Sequence, residues 1–135
     1  MKKCAAGILL KKDKILLGRR STNLKFYPNV WDLIGGHCKS NEVPEQALMR
    51  ELQEEIGVRP TKFIHLEVLY EPNPEVYGDY EYHIYLVTDW IGSPRNLSPN
   101  EHSELDWFDI DEASQLDLAH PRYLELFKRI EMMKT

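Results

Sequence analysis

Three glutamates close together, Glu51, Glu54 and Glu55, are the residues of this chain whose types and spacing most readily do chemistry. They lie in "RELQEEIGV", residues 50–58, with Arg50 before them and Gly57 after. In a helix, like charges three and four residues apart repel by roughly 0.2–0.5 kcal/mol per pair. Gly57 is where such a helix would stop. The carboxylates then crowd the negative end of the helix dipole, where acidic groups are least welcome. Helix physics alone gives no reason for that placement. A hard divalent cation does, because Mg²⁺ or Mn²⁺ needs several converging carboxylate oxygens and removes their repulsion when bound. Mg²⁺ also retains waters and commonly bridges protein carboxylates to substrate phosphates. The chemistry anticipated at this point is divalent-cation binding, with a solvated acidic face as the alternative.

The element that must position these groups is legible around them. Pro44 suits the first turn of a helix, and Leu48, Leu52 and Ile56 repeat at spacing four to give one apolar stripe. Val43 is a poor residue to cap it. With Glu51 at the origin of a helical wheel, Glu55 falls at about 40° and Glu54 at about −60°. Leu48, Leu52 and Ile56 fall at about 60°, 100° and 140°. The carboxylates therefore border the buried face instead of opposing it. A merely solvated acidic face would sit on the far side.

Around this helix, residues 3–10 and 14–19 read as a hairpin, 30–34 as a short strand running into Gly35-Gly36, and 62–70, 80–90 and 105–110 as further strands. The Pro/Gly-bearing stretch 71–79 reads as loop, and 119–133 as a second helix with Leu124, Phe127 and Ile130 at helical spacing. The order β-β-β-α-β-β-β-α predicts an α/β fold, a mixed sheet with helices on both sides. With no repeat or linker, residues 1–135 are taken as one domain.

Bulk properties narrow the class. The 135 residues suffice for a real core, and 42% hydrophobic with 29% charged residues is ordinary for a soluble protein. No apolar run is long enough to span a bilayer. The N-terminal "MKKCAAGILLKKDK" has too short an apolar stretch for a signal peptide and reads as strand, which places the protein in the cytoplasm. Cys4 and Cys38 form no CxxC pair and are expected to be reduced thiols. The net charge of −5 divides into +7 over residues 1–26 (eight Lys/Arg, one Asp) and hence −12 over the rest. An acidic body argues against nucleic-acid binding, while a small anion remains compatible with the basic segment.

The wider stretch "GGHCKSNEVPEQALMRELQEEIGV" contains Gly36, five residues, Glu42, seven residues, then Arg50-Glu51-Leu52-Gln53-Glu54-Glu55-Ile56-Gly57-Val58. It resembles the Nudix box, G-x5-E-x7-R-E-U-x-E-E-x-G-U with U aliphatic, at every specified position. "VWDLIGGH" resembles the strand leading into that box, with Ile34 where relatives often carry Pro, and "NEHSELDWFDIDEA" (100–113) resembles the acidic loop and Trp-Phe strand downstream. Members of the family are α/β/α sandwiches with a mixed, curved sheet that hydrolyse a diphosphate linked to another moiety, usually a nucleoside.

Carried over residue by residue, the resemblance makes Glu51, Glu54 and Glu55 metal ligands for Mg²⁺ or Mn²⁺, with a backbone carbonyl of Gly35 or Gly36 as a further one. The adjacent glycines suit a tight turn. Arg50 would orient a glutamate through a charge-assisted bond, or simply pair with Glu54, and Glu42 would pair across the loop or help bind metal. Glu54, Glu55 or the loop residue Glu101, with Glu104 second, would serve as general base. Arg19 and Arg20 are candidates for substrate phosphate, and Phe26, Tyr27 and Tyr70 for stacking on a base. The five histidines show no metal-ligand spacing and receive no role, although His37 follows the glycines. The likeness is greatest to the MutT-like branch, which implies a (d)NTP, oxidised forms included, cleaved to monophosphate and diphosphate. Pro74, sixteen residues past Val58, keeps an ADP-ribose or nucleotide-sugar substrate open, and Tyr77 a dinucleoside polyphosphate. A non-catalytic nucleotide sensor is the alternative of another class. Homodimers are common among such proteins.

Overall fold

The structure, a computed structural model, describes residues 1–133; positions 134 and 135 of the single-domain reading lie outside the described residues. β1 (Lys2–Lys11) and β2 (Lys14–Arg20) form the expected hairpin. Lys12 and Asp13 at its tip take φ of 49° and 67°, the turn whose twist matches a two-residue hairpin. The strands stay paired only at Leu10–Ile15 and Lys11–Lys14 and then diverge. β1 runs antiparallel to β4 (Ile34–His37) and parallel to β6 (Tyr80–Ile91), whose other neighbour is the antiparallel β5 (Arg59–Tyr70). β2 instead pairs antiparallel with β3 (Trp31–Asp32) and β7 (His102–Asp109). The mixed sheet thus opens at the hairpin.

Alternation along β1 feeds both faces of the sheet. Ala5 and Leu9 join one core with Leu48, Leu52 and Ile56 of α1 (Pro44–Ile56), and Ile8 joins another with Leu126, Phe127 and Ile130 of α4 (Tyr123–Met133). These two layers of helix on a mixed sheet are the α/β/α arrangement expected. The three stripe residues of α1 are fully buried, worth about 1.5–3 kcal/mol each. Val43 makes no side-chain cap. Instead, Gln46 Oε1 accepts from the Val43 N–H at 3.0 Å.

Five features differ from the expectation. The strand expected at 30–34 is split around Leu33 into β3 and β4. The loop 71–79 contains a single helical turn, α2 (Pro74–Tyr77), and another, α3 (Ile110–Ala113), follows β7. β7 begins at His102, so Glu104 lies in a strand and not in a loop. The last helix begins at Tyr123, because the residue before Pro121 is disfavoured in helical conformation. Among the described residues no helix is long and apolar enough to cross a membrane.

Candidate active site

Within α1 the three glutamates meet different surroundings, in the order their wheel positions dictate. The Glu54 side chain, farthest from the apolar stripe, is 56% exposed, that of Glu51 is 15% exposed, and Glu55 is buried at 3%. Arg50 binds the outer part of this array. Its Nε and Nη2 donate to the two Glu42 oxygens at 2.7 and 2.8 Å. Nη1 reaches Glu51 Oε1 at 2.8 Å and Glu54 Oε2 at 3.2 Å, and Nη2 also reaches the His37 carbonyl at 2.9 Å. Orientation of a glutamate and the i,i+4 pair with Glu54 coexist in one guanidinium. Its fork holds the Glu42 carboxyl down at about 2, while burial outweighs its pull on Glu51 and raises that carboxyl.

Gly35 and Gly36 are glycines for a reason other than the tight turn expected. Both lie in β4, paired with Ala6 and Ala5 of β1. A Cβ on Gly35 would run into the Ala5 carbonyl, and one on Gly36 would lie 2.6 Å from the Glu51 carboxyl carbon. The bare backbone lets the Glu51 carboxylate lie against β4.

The loop from β6 to β7 delivers a second acidic arm. Gly57 ends α1 in the left-handed conformation, φ 72°, its N–H bonded to the Gln53 carbonyl. Two further carbonyls of the last turn, those of Ile56 and Glu55, accept from the N–H groups of Arg95 and Leu97 at 3.1 and 2.9 Å. Asn96 closes the rest of the loop: its Oδ1 accepts from Ser98 N at 3.1 Å and its Nδ2 donates to the His102 carbonyl at 2.7 Å. The loop's end thereby brings Glu101 and His102 to Glu55, with one potential ligand atom of each within 4.8 Å of the others. Burial first, then a bond to Glu101 and the charges of Glu101, Glu51 and Asp32, pushes the Glu55 carboxyl up to about 10. Glu55 Oε2 is buried with no hydrogen-bond partner. A buried carboxylate oxygen without a donor, among further carboxylates, fits a bound divalent cation, which supplies the missing charge and the missing contact.

Beside this cluster opens a cavity of about 280 Å³. Gly35, Gly36, His37, Glu55, Glu101 and His102 line it, together with Arg20, Phe26, Tyr27, Asp32, Glu71, Tyr82, His120 and Tyr123. Each of the three nitrogens of the Arg20 guanidinium is held by protein. It donates to the Phe26 carbonyl at 3.0 and 2.7 Å, to the Tyr27 carbonyl at 3.0 Å and to Asp32 at 3.3 Å. The buried Glu71 accepts from Tyr27 Oη at 2.6 Å, Tyr82 Oη at 2.7 Å and Asn73 N at 3.0 Å. These bonds hold its carboxyl below the usual range despite burial. Tyr77 of α2 packs on Phe26 and Tyr27 at 4.8 and 4.7 Å between ring centroids, tying two loops into one aromatic wall.

Of the residues expected at the site, Arg50, Glu51, Glu54, Glu55, Gly35, Gly36 and Glu101 form one array, and Arg20, Phe26 and Tyr27 line the adjoining cavity. Arg19 and Tyr70 are not among the lining residues; the Nε of Arg19 is buried without a partner, and Tyr70 is 57% exposed. Sequence reading passed over Asp32, Glu71, Tyr82, His102 and His120. The usable signal for His102 was Gly18, a glycine inside an apolar strand, which marks a close approach.

The family model of the NUDIX domain matches residues 1–130. The CTP pyrophosphohydrolase of Escherichia coli (strain K12) is 34% identical over 115 residues, 84% of this chain and 80% of that protein. The 8-oxo-dGTP diphosphatase of Proteus vulgaris is 34% identical over 87 residues, 64% of this chain and 75% of that protein. The solution structure of the E. coli ORF135 protein superimposes with a TM-score of 0.79 at 28% identity, covering 100% of this chain and 91% of that one. The chain belongs to the Nudix family, and is a hydrolase of phosphoric anhydride bonds.

Proposed function

We propose that this protein is a Mg²⁺- or Mn²⁺-dependent pyrophosphohydrolase of nucleoside triphosphates, oxidised ones included, releasing monophosphate and diphosphate. The observation that carries the proposal is the buried, unpartnered carboxylate oxygen of Glu55 beside Glu101, both lining a cavity of about 280 Å³. The names of the two relatives, a CTP pyrophosphohydrolase and an 8-oxo-dGTP diphosphatase, support the triphosphate class.

In this reading Glu51, Glu54 and Glu55, with a carbonyl of Gly35 or Gly36, would hold the ions, which when bound would supply charge neutralisation of the diphosphate and a water of lowered pKa. Arg50 fixes Glu51 and Glu54 so that their oxygens need not reorganise on binding. The water oxygen bonds to phosphorus, the bridging P–O bond breaks, and Glu101, exposed at the cavity mouth, takes the water's proton. Phe26 and Tyr27 form the wall on which a base stacks, and Arg20 keeps that wall in place through their carbonyls. The substrate is a small molecule and not a nucleic acid; a homodimer is compatible with this reading.

A panel of nucleoside triphosphates (CTP and 8-oxo-dGTP among them), ADP-ribose and dinucleoside polyphosphates, assayed with Mg²⁺ and product analysis, tests the proposal. Turnover is expected on triphosphates, with diphosphate as a product. Cleavage of ADP-ribose alone would replace the substrate, and no turnover at all would favour the sensor.

A further inference from the structure

His102 is 4% exposed, and neither of its ring nitrogens has a hydrogen-bond partner. A neutral imidazole carries one donor and one acceptor, and leaving both unmet in a buried place costs about 1–3 kcal/mol per group. A ring that merely filled the core would be replaced by an apolar side chain at no loss. The backbone is arranged to keep it there. Ser98 O accepts from the His102 N–H at 3.0 Å, and Asn96 binds the His102 carbonyl at 2.7 Å. Across the sheet, Gly18 lies under the ring: a Cβ at that position would come within 2.7 Å of His102 Nδ1 and 3.0 Å of Ile34 Cδ1. Glycine in a strand interior sacrifices packing, and here it makes room for the imidazole.

The ring is aimed at the acidic cluster. Its Nε2 stands 3.4 Å from Glu55 Oε1 without forming a hydrogen bond, and the other Glu55 oxygen is unpartnered too. A proton shared between His102 and Glu55 would leave that second oxygen unmet. A cation between them would engage both His102 Nε2 and the Glu55 carboxylate, and Glu101 offers a third ligand atom within the same 4.8 Å. We propose that His102 is a nitrogen ligand which, with Glu55 and one oxygen of Glu101, makes this end of the site a mixed nitrogen–oxygen site for a first-row transition dication, the other Glu101 oxygen being left to take the water's proton. The proposal rests on the reading of the acidic helix as a metal site and refines which ion it takes. Carboxylate and water ligands alone suit Mg²⁺, whereas an imidazole favours transition ions, in the order Mn²⁺ below Co²⁺.

Pulsed EPR of the full-length protein at saturating Mn²⁺ tests this without reference to turnover. The wild type is expected to show nitrogen hyperfine coupling from one imidazole. His102→Gln is expected to bind Mn²⁺ about tenfold or more weakly, the scale that even supporting residues of a metal site command, and to lose the coupling, while Mg²⁺ affinity changes less. Gly18→Ala, which leaves every ligand in place and presses on the ring, is expected to weaken the same coupling should His102→Gln fail to fold. Bound Mn²⁺ with no nitrogen coupling in the wild type would overturn the proposal and leave the carboxylate site standing. Coupling that persists in folded His102→Gln would overturn it in favour of another imidazole such as His37. A wild type that binds no Mn²⁺ or Mg²⁺ would overturn both this proposal and the metal-dependent function.

Discussion

Around Arg50 every carboxylate of the acidic array has a donor: Glu42 takes two bonds, Glu51 and Glu54 one each. One helical turn further on, around Glu55, its Oε2 and both ring nitrogens of His102 lack partners although they are more deeply buried. The helix supplies the same residue type to both regions. One is already held by protein donors, Arg50 engaging one oxygen each of Glu51 and Glu54; the other is incomplete until something else arrives. The contrast separates the glutamates oriented in advance by Arg50 from Glu55, one of whose buried oxygens has no protein donor, which the bare motif does not do.

Changes that invade the open region should have the largest effect. Glu55→Gln is expected to lower kcat by about 10²–10⁴-fold, the scale of a group acting at the reacting centre. It should leave the unfolding midpoint of the metal-free protein nearly unchanged, because burial pushes the Glu55 carboxyl up to about 10 and keeps it neutral near pH 7, as the amide is. Differential scanning calorimetry with chelator, run beside steady-state kinetics, checks both expectations. A loss of activity accompanied by a loss of metal-free stability would erase the distinction between the regions.

Arg50→Ala probes the region held by protein donors and should do the reverse. It strands carboxylates from Glu42, Glu51 and Glu54, so stability should fall by about 2–3 kcal/mol, somewhat less than for a fully buried pair, and kcat by about tenfold. Arg50→Lys should recover only part of either, since an ammonium cannot reproduce the fork. Gly36→Ala sits between the regions. Its new Cβ would displace the Glu51 carboxylate, and metal affinity, read by calorimetric titration, should weaken about tenfold with little change in nucleotide affinity without metal.

The smallest effect belongs to Glu42. Its carboxyl is held at about 2 in the folded protein against 4.5 for the free group. A depressed folded value stabilises the native state above the unfolded pKa and loses that contribution as pH falls toward the folded one. Glu42→Gln should therefore flatten the stability profile between about pH 5 and pH 2, measured by urea unfolding, and leave the profile above pH 6 parallel to the wild type.

The motif, both ends of α1 and the ranking of the three glutamates were legible, because each depends on residues a few positions apart on one helix. Glu55 lies about 20° from Leu48 on the wheel, and its burial follows. The cavity was not legible in the same way. Tyr123 donates to Asp32 at 2.6 Å and Tyr27 to Glu71 at 2.6 Å across long stretches of chain, and no local period announces such pairs. Arg20 has a charge that suggests phosphate, yet backbone carbonyls consume its donors, a use that side-chain chemistry alone cannot foretell. His102 was passed over because a search for metal-ligand spacing looks along the chain, while its partner Glu55 approaches from a helix packed over the sheet.

The most direct test of the account is anomalous diffraction from a crystal holding Mn²⁺ and a non-hydrolysable nucleoside triphosphate analogue. The account predicts anomalous peaks at coordinating distance from Glu51 and Glu55, between those carboxylates and the analogue's phosphates. An analogue ordered in the cavity with no ion at either carboxylate would contradict it.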